Sequence, residues 1–490
     1  MTSDMQWRTQ VLKEIPSVEN KLVNKRGSGL EMSFEFLPGM QWGDGVPLTC
    51  KDVGFAIKVG KANTVSTPDR SKYDNITDFK IDSGNTKKCT VTFKQAKYDF
   101  LPNMPDILPE HLESSIFEKF GSQPQGYDRN SLYTTQPTNP GLYFGPYVVS
   151  EVKLGDFVSF VVNPKFTGEP AKIKRVMIKL VPNSSVLEAN LSSDNINMIA
   201  SWGGFTTDQA VSFQKKVESE KLPYKVSFEN ASVYSHMDFN LASPILSDVK
   251  VRKALTYGLN RQMLVDILVA GKAVVASQFV SEKDPWFSKQ VTKYNDDTKK
   301  AGQLLDEAGW KMGQDGYRSK DGKMLNLTLM SNGGNKSTEI FMALIQKQWK
   351  KIGVQIKIKT EIARIYYAET LPNRNFDIAL YTWVSLPESS PRAQLTTASI
   401  PNAANGRSGQ NYMGYSNPKV DSLIDKLEVE FNATKRAAIA REIIKYYVDE
   451  LPVLPLYFKP VAAVIPSGLK KLRLSGNMYP ETLEAEQWTF

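Results

Sequence analysis

The segment from residue 325 to residue 358 constrains the fold more than any other part of the chain. Leu325–Met330 is a short apolar run typical of a buried strand, Ile340–Ile352 has apolar residues at helical spacing, and Val354–Ile358 is a second apolar run. A strand, a helix and a strand in this order form a βαβ unit, which requires parallel strands covered by a helix. The sequence therefore predicts an α/β protein.

Strand-like and helix-like segments alternate along the rest of the chain. Thr49 is predicted to cap a helix, with Asp52 completing a shortened capping box, and Asn417 and Pro418 are predicted to begin an amphipathic helix. The chain before Tyr234–Asn240 is richer in strands, and the chain after it holds most of the βα units. We therefore expect mixed sheets and a structural boundary in this region.

Composition and charge restrict the class of protein. The 490 residues are 41% hydrophobic and 23% charged, as in an ordinary globular protein. The longest apolar runs, of about seven or eight residues, fall short of the ~20 that a membrane-spanning helix needs. Met1–Arg8 contains no apolar stretch with a cleavage site, so no secretory signal is predicted. The net charge of +9 comes from dispersed lysines, so a mildly basic surface and no nucleic-acid partner are predicted.

The reactive residue types are few. The chain has two cysteines, Cys50 and Cys89, and two histidines, His111 and His236. None stands at the spacing of a metal site or in a recognisable catalytic context, so neither a cofactor nor a catalytic residue is predicted. The cysteines either form one disulfide or remain two buried thiols. A disulfide would close a loop of about 40 residues and contribute about 4 kcal/mol in the chain-entropy model.

Seven segments resemble, in order, the signatures of one protein family. The first reads W-G-D-G-V-P-L-T-C-K-D-V, and the fourth combines D-F-N with S-D-V-K-V-R-K-A-L and Y-G-L-N-R. In full, the segments lie at residues 42–53, 107–112, 145–147 with 163–164, 238–261, 301–310, 415–421 and 451–457. Together they resemble the extracytoplasmic solute-binding proteins of bacterial ABC transporters, family 5, the type that binds peptides, nickel or oligosaccharides.

The resemblance implies a two-lobed, periplasmic-binding-protein-like fold of type II, cluster C, with mixed sheets and an extra strand-rich subdomain. The expected cleft subdomain of the first lobe comprises residues 1–34, 141–235 and 456–490; its outer subdomain is 35–140, and the second lobe is 236–455. A ligand would be enclosed by hinge closure. Only 41 residues precede Trp42, fewer than family members usually carry, so a shortened first lobe is expected.

The resemblance also implies a function without catalysis. The protein would be a monomeric receptor that delivers a small molecule or peptide to the membrane subunits of an ABC transporter. Its expected location is periplasmic or extracytoplasmic and membrane-associated. The predicted ligand is an oligopeptide or a peptide-like molecule, and the alternatives are an oligosaccharide, an opine-like compound or a metal chelate. A cytoplasmic α/β enzyme or a chaperone-like relative that docks a partner is the hypothesis from a different class.

The segment F-D-I-A-L-Y-T-W at residues 376–383 is the first candidate for the ligand site. Trp383, with Tyr381 on the same strand, is predicted to form an aromatic wall, and Ser385 to donate a hydrogen bond. The alternatives are a core tryptophan and a turn serine. Peptide binders of the family carry an aspartate three residues after this tryptophan, where this chain has Leu386.

Leu386 restricts the class of ligand that the predicted site can bind. An ammonium group enclosed in a cleft without a carboxylate is an unpaired buried charge, which costs several kcal/mol. A free peptide N-terminus bound in the usual way is therefore disfavoured, unless Glu388 or Asp238 substitutes for the missing acid.

Five further residues complete the predicted site. Asp238 and Asn240 stand on the expected crossover strand, where they would either orient polar groups of a ligand or tie the hinge. Trp202 follows a segment that faces the cleft in this family, with a surface loop as the alternative. Tyr143 would line the first lobe or pack in its core. Arg392 would attract a carboxylate or remain a solvated loop arginine.

Overall fold

The computed structural model describes residues 6–67, 70–334, 336–477 and 479–490, without the side chains of Ser71 and Lys336. The strands are β1 Val23–Arg26, β2 Gly29–Glu35, β3 Ile76–Asp82, β4 Asn85–Phe93, β5 Tyr147–Lys153, β6 Phe157–Val162, β7 Arg175–Lys179, β8 Tyr224–Phe239, β9 Val274–Val275, β10 Lys311–Met312, β11 Arg318–Lys320, β12 Lys323–Met324, β13 Asn326–Asn332, β14 Gln355–Glu361, β15 Ile378–Val384 and β16 Val453–Pro466.

The helices are α1 Cys50–Lys61, α2 Ser71–Asp74, α3 Glu110–Phe120, α4 Gly126–Asn130, α5 Leu132–Thr135, α6 Ser184–Ser192, α7 Thr207–Glu220, α8 Val249–Tyr257, α9 Arg261–Val269, α10 Thr298–Glu307, α11 Lys336–Lys350, α12 Ala363–Ile365, α13 Leu371–Asn373, α14 Arg392–Leu395, α15 Pro418–Val429 and α16 Ala433–Glu450. Two predicted helix starts are confirmed. Thr49 and Asp52 form a reciprocal capping box on α1, and the Asn417 side chain accepts from the first backbone N–H groups of α15.

A six-stranded mixed sheet is the largest element of the fold, with the strand order β14-β13-β15-β8-β16-β9. β13 is parallel to both β14 and β15, so the predicted βαβ unit is confirmed as β13-α11-β14. β8 runs antiparallel to β15 and to β16. One face of the sheet buries Met237, Leu329 and Leu454 beneath α8, α10 and α11, forming the largest core.

Strands β8 and β16 are the longest in the described part of the chain, with 16 and 14 residues. They pair from Asp238 and Val453 at one end to Tyr224 and Pro466 at the other. The register shifts between Pro455 and Tyr457 and again between Phe458 and Pro460. Beyond the shifts the same two strands pack against α7 in a separate core. We call this pair the crossing ladder, because it runs from one packed body into another.

The strand-rich part near the start of the chain is a four-stranded antiparallel sheet with the order β1-β2-β4-β3. Its core packs against α1. Cys50, the first residue of α1, is bonded to Cys89 on β4, with a Cα–Cα distance of 6.0 Å. The bond therefore ties the helix to the sheet on which it packs.

The remaining sheets are small. β5, β6 and β7 form a three-stranded antiparallel sheet, and β10, β11 and β12 form another. The first pair, β5 and β6, forms a hairpin in which Tyr147 is opposite Val162. The predicted α/β fold with mixed sheets is confirmed, and the lobe limits stay a prediction.

Candidate functional site

Five side chains meet on one face of the six-stranded sheet where β15 lies beside β8. Tyr381 is opposite His236, and Trp383 is opposite Tyr234. Asp238 completes the group, which we call the floor cluster (Tyr234, His236, Asp238, Tyr381 and Trp383). All are buried except Trp383, which is half-buried. The structure thus brings together three predicted site residues, Asp238, Tyr381 and Trp383.

Directed hydrogen bonds hold Trp383 in the floor cluster. The Trp383 indole Nε1 donates to the Tyr381 hydroxyl at 3.2 Å, and this hydroxyl donates to Asp238 Oδ2 at 2.5 Å. The His236 ring lies 4.2 Å from the Trp383 ring and stacks on Tyr234 at 5.0 Å. Burial and the Asp238 carboxylate raise the pKa of Tyr381 well above its ordinary value. The hydroxyl therefore keeps the proton that it donates.

Both ring nitrogens of His236 face acceptor atoms. Nδ1 lies 3.1 Å from the Tyr234 carbonyl oxygen, and Nε2 lies 3.4 Å from Asp238 Oδ1. Neither Nε2 nor Oδ1 has a hydrogen-bond partner among the described residues. The Asp238 carboxylate lies between Tyr381 and His236, and it accepts from the tyrosine through its other oxygen.

Asn240 is also occupied by the protein itself. Its amide nitrogen donates to the carbonyl oxygens of Arg374 at 3.0 Å and Phe376 at 2.8 Å. Its oxygen accepts from the Ala242 backbone at 3.1 Å and from Arg374 Nη2 at 3.0 Å. Three of these four bonds join the end of β8 to the turn before β15.

The loop after β15 carries Ser385 and Arg392. The Ser385 backbone continues the β15–β8 pairing by donating to Ser232 O at 3.4 Å, which places it where the crossing ladder leaves the sheet. Arg392 pairs with Asp425 at 2.5 Å and Glu428 at 2.8 Å. Its charge is therefore matched by two acids of α15.

Neither acid that was considered in place of Leu386 is free of the protein. Glu388 pairs with Arg436 at 2.9 Å, and Asp238 lies in the floor cluster. A ligand ammonium would have to displace one of these partners. The absence of the usual N-terminal anchor stays a prediction.

The first-lobe candidates lie on separate segments. Trp202 is 40% exposed on the bend that follows Ile199, and the preceding Ser201 is fixed by two bonds of 2.7 Å to Glu481. Tyr143 is half-buried, donates to Pro137 O at 2.6 Å and meets the Tyr133 ring edge to face. Their roles in ligand binding stay predictions.

A cavity of about 160 Å³ lies between the start of α7 and the edge of the six-stranded sheet. We call it the interlobe cavity. Polar groups from both sides of the crossing ladder line it: Thr206, Asp208, Ser331, Asn332, Thr382 and Lys459. Tyr381 is the predicted site residue that also lines it. Thr382 faces away from Trp383, because adjacent side chains on a strand point to opposite faces.

These polar residues are not among the predicted site residues, although their position in the sequence could have indicated them. Asn332 and Thr382 stand at the carboxyl ends of the parallel strands β13 and β15. In open α/β sheets, ligands bind outside the carboxyl ends of the strands. Applying this rule to the predicted βαβ unit would have selected this edge of the sheet.

The described residues contain no group of three or more histidine, cysteine, aspartate or glutamate side chains that could hold a metal ion. Among the same residues, no helix combines the length and apolar character needed to cross a membrane.

Comparison with known proteins gives the same family as the ordered motifs. The family model described as bacterial extracellular solute-binding proteins, family 5 middle, matches residues 24–405. The oligopeptide-binding protein AppA of Bacillus subtilis is 26% identical over 459 residues, which are 91% of this chain and 79% of the relative. The nickel-binding periplasmic protein of Escherichia coli is 25% identical over 317 residues, 64% of this chain and 59% of that protein.

Solved structures share the fold. The oligopeptide-binding protein of Thermus thermophilus, complexed with a pentapeptide, aligns with a TM-score of 0.72 at 23% identity, covering 100% of this chain and 89% of that one. NikZ of Campylobacter jejuni, in complex with Ni(L-His), aligns with a TM-score of 0.71 at 24% identity, covering 96% and 90%. The chain therefore has the predicted type II periplasmic-binding-protein fold.

Proposed function

We propose that this chain, which belongs to the bacterial extracellular solute-binding proteins of family 5, encloses a peptide or peptide-like ligand between two lobes and delivers it to an ABC importer. Proteins of this family are non-enzymatic receptors that work with the membrane components of ABC transporters. The observation that carries the proposal is the interlobe cavity, which is lined from both sides of the crossing ladder. A site of this kind changes shape when the two bodies rotate about the ladder.

The lobe limits are part of the proposal: 1–34, 141–235 and 456–490 for the first cleft subdomain, 35–140 for its outer subdomain and 236–455 for the second lobe. Two buried cores extend across these limits: one includes both Met237 and Leu456, and the other extends from Leu12 to Ala96. The register shifts of β16 begin at Pro455, next to the proposed limit.

For ligand recognition we propose a division between the two faces of β15. Trp383, held by Tyr381, would supply an apolar wall, while Thr382 and Asn332 would hydrogen-bond the polar groups of the ligand. Trp202, Tyr143 and Ser385 would approach the ligand as the lobes close.

Two charged residues of the interlobe cavity bear on the charge of the ligand. Lys459, an exposed ammonium, and Asp208, an exposed acid, both line it. Lys459 suits an anionic group of the ligand and Asp208 a cationic one, as in a peptide that carries both charges.

Mass spectrometry of protein purified without refolding would identify a ligand that stays bound. Thermal-shift measurements would then compare pentaalanine, N-acetyl-pentaalanine, maltotriose and nickel–histidine. A ligand at 100 times its Kd adds about 2.7 kcal/mol of stability. A shift with either peptide is expected, and a larger shift with the acetylated one would indicate that Lys459 rather than Asp208 sets the charge preference. Shifts with maltotriose or nickel–histidine alone would contradict a peptide ligand.

Site variants test the placement of the ligand. Thr382→Val should weaken binding of the active probe about tenfold, because it leaves a ligand polar group unpaired. Thr360→Val on β14, the edge strand of the same sheet, is the matched control, since Thr360 is also exposed and does not line the cavity. Equal binding by both variants would remove Thr382 from the site.

The remaining parts of the proposal concern assembly and location. We propose a monomer that is held near the membrane outside the cytoplasm. Light scattering during size-exclusion chromatography should give 54.9 kDa, the mass of one chain. A mass near twice that value would contradict the monomer.

A further inference from the structure

Besides the crossing ladder, a second set of contacts joins the outer sheet of the first lobe to the second lobe. The segment after β4, residues 97–100, meets the end of α15 and the start of α16. An aromatic side chain from each body packs against the core of the other. Tyr98 packs on the core that contains Trp286 and Tyr447, and Phe431 packs on the core of the outer sheet.

Tyr98 is held on several sides. Its backbone N–H donates to Glu428 O at 3.0 Å, and its hydroxyl donates to Glu388 O. The Arg436 guanidinium lies 4.5 Å above its ring, and the Trp286 ring is 6.2 Å away. Burial raises the pKa of Tyr98, so the hydroxyl remains a donor.

Phe431 is held in the opposite direction. Its ring stacks on Phe100 at 6.1 Å with an interplanar angle of 12°. Lys25 of β1 places its ammonium 4.4 Å from the same ring and donates to Val429 O at 2.9 Å. Lys25 and Phe100 lie on separate segments of the outer sheet region, so the half-buried Phe431 is contacted from two sides.

Ion pairs surround the two aromatic residues. Lys97 pairs across the lobes with Glu428 at 3.2 Å. Arg436, which covers Tyr98, pairs with Glu388 at 2.9 Å. The second lobe thus presents an acid to Lys97 and a positioned cation to the Tyr98 ring. The charges on the two sides of the contact are therefore complementary.

We propose that Tyr98 and Phe431, with Lys25, Lys97 and Arg436, form a latch that holds the two lobes together in the absence of ligand. The proposal rests on hinge closure as the proposed function. A ligand that requires closed lobes binds more tightly when closure is already populated, because its apparent Kd is the intrinsic Kd divided by the closed fraction. The latch would also have to break each time the ligand leaves.

Spin labels can measure the latch directly. Lys80→Cys and Lys445→Cys place labels on the outer sheet and on α16, where 76% and 72% of the two side chains are exposed. The native cysteines are bonded to each other, so a thiol-reactive label attaches to the introduced ones. In ligand-free protein we expect one short distance for the wild type. Tyr98→Ala or Phe431→Ala should add a longer distance, with the open-to-closed ratio rising about tenfold.

Matched variants make the result specific. Phe120→Ala removes a half-buried ring of the outer region, beneath Lys119, and should leave the distance unchanged. The double variant at Tyr98 and Phe431 should open less than the sum of the single effects, since both residues act in one contact. If Tyr98→Ala fails to fold, Lys25→Met still removes an exposed part of the latch and should raise the open population about twofold.

An unchanged short distance in folded Tyr98→Ala and Lys25→Met variants would overturn the latch. Because the distance is measured without ligand, failure to find any ligand would count against the proposed function and would leave this measurement valid.

Discussion

The crossing ladder and the latch connect the same two bodies by different means. The ladder is made of two continuous strands, with a shifted register at Pro455–Pro460. The latch depends on side chains, one backbone hydrogen bond between Tyr98 and Glu428, and ion pairs. The ladder can bend without losing either chain, whereas the latch must separate when the lobes part. The hinge is thus formed by paired backbone strands, and the closing contact by side chains and ion pairs.

The largest loss of stability is expected from a substitution next to the crossing ladder. Arg261 is buried and donates to the carbonyl oxygens of Ala276 at 2.6 Å, Tyr294 at 2.6 Å and Pro455 at 2.8 Å. Arg261→Met leaves three buried acceptors unmatched. We expect a loss of about 3–5 kcal/mol in the free energy of unfolding, measured by urea denaturation.

The control for Arg261 is Arg26→Met. Arg26 forms an exposed ion pair with Glu31 at 2.6 Å, so its loss should cost less than about 1 kcal/mol. Similar losses in both variants would mean that the ladder does not depend on its buried arginine.

The free energy of unfolding should depend on pH through Asp284, which bonds to the Glu388 backbone next to the latch. Asp284 accepts backbone hydrogen bonds from Trp286 at 2.8 Å and Glu388 at 2.9 Å, and burial raises its pKa to about 6. The folded pKa exceeds the unfolded one, so this group stabilises the protein most below about pH 4. The contribution is lost as the pH rises through about 6.

Asp284→Asn isolates this contribution, because asparagine does not titrate. We expect the unfolding free energy of the wild type minus that of the variant to be about 2–3 kcal/mol larger at pH 4 than at pH 7. Urea denaturation at the two pH values measures it. A difference independent of pH would show that Asp284 does not take up a proton on folding.

The floor cluster beneath the ladder should show an intermediate effect. Tyr381→Phe removes the hydroxyl that accepts from Trp383 and donates to Asp238. We expect a loss of about 2 kcal/mol, together with greater mobility of the Trp383 indole in fluorescence anisotropy. Tyr367→Phe, at a ring that is 45% exposed, is the control and should change neither quantity. Unchanged anisotropy in Tyr381→Phe would mean that packing alone positions Trp383.

The smallest effect is expected for a single bond of the latch. Tyr98→Phe keeps the ring but removes the bond to Glu388 O. We expect a cost of about 1 kcal/mol and a fivefold rise in the open-to-closed ratio, read from the same spin labels. Tyr133→Phe loses a comparable bond, to Leu142 O within the first lobe. If Tyr133→Phe also raised the open-to-closed ratio, the opening seen in Tyr98→Phe would not be specific to the latch.

Local patterns predicted much of the fold because the interactions that begin helices lie within a few residues. The Thr49–Asp52 box and the Asn417 cap are of this kind. Helix α7 is not among the predicted helices, although Thr206 and Gln209 form a capping box there. The length of β8 is not predicted either, because residues 224–230 mix lysine, serine and glutamate with apolar residues, and their burial depends on a distant partner strand.

The candidate site was harder to predict than the fold. Tyr381 and Asp238 were both selected from the sequence, but their hydrogen bond depends on the register of two strands far apart in the chain. The partners of Arg392, on α15, are 33 and 36 residues away in the chain. Sequence reasoning thus identified the residue types near the sheet edge, but it did not determine which charges the protein itself would neutralise.

The reciprocal packing of Tyr98 and Phe431 should also couple the unfolding of the two bodies. Phe431 packs against the core of the outer sheet, and Tyr98 packs against a core of the second lobe. When either body unfolds alone, the other loses part of its packing. We therefore expect one cooperative heat-absorption peak in scanning calorimetry, with equal calorimetric and van't Hoff enthalpies, although the cores are separate. Without the exchange, each body would melt at its own temperature.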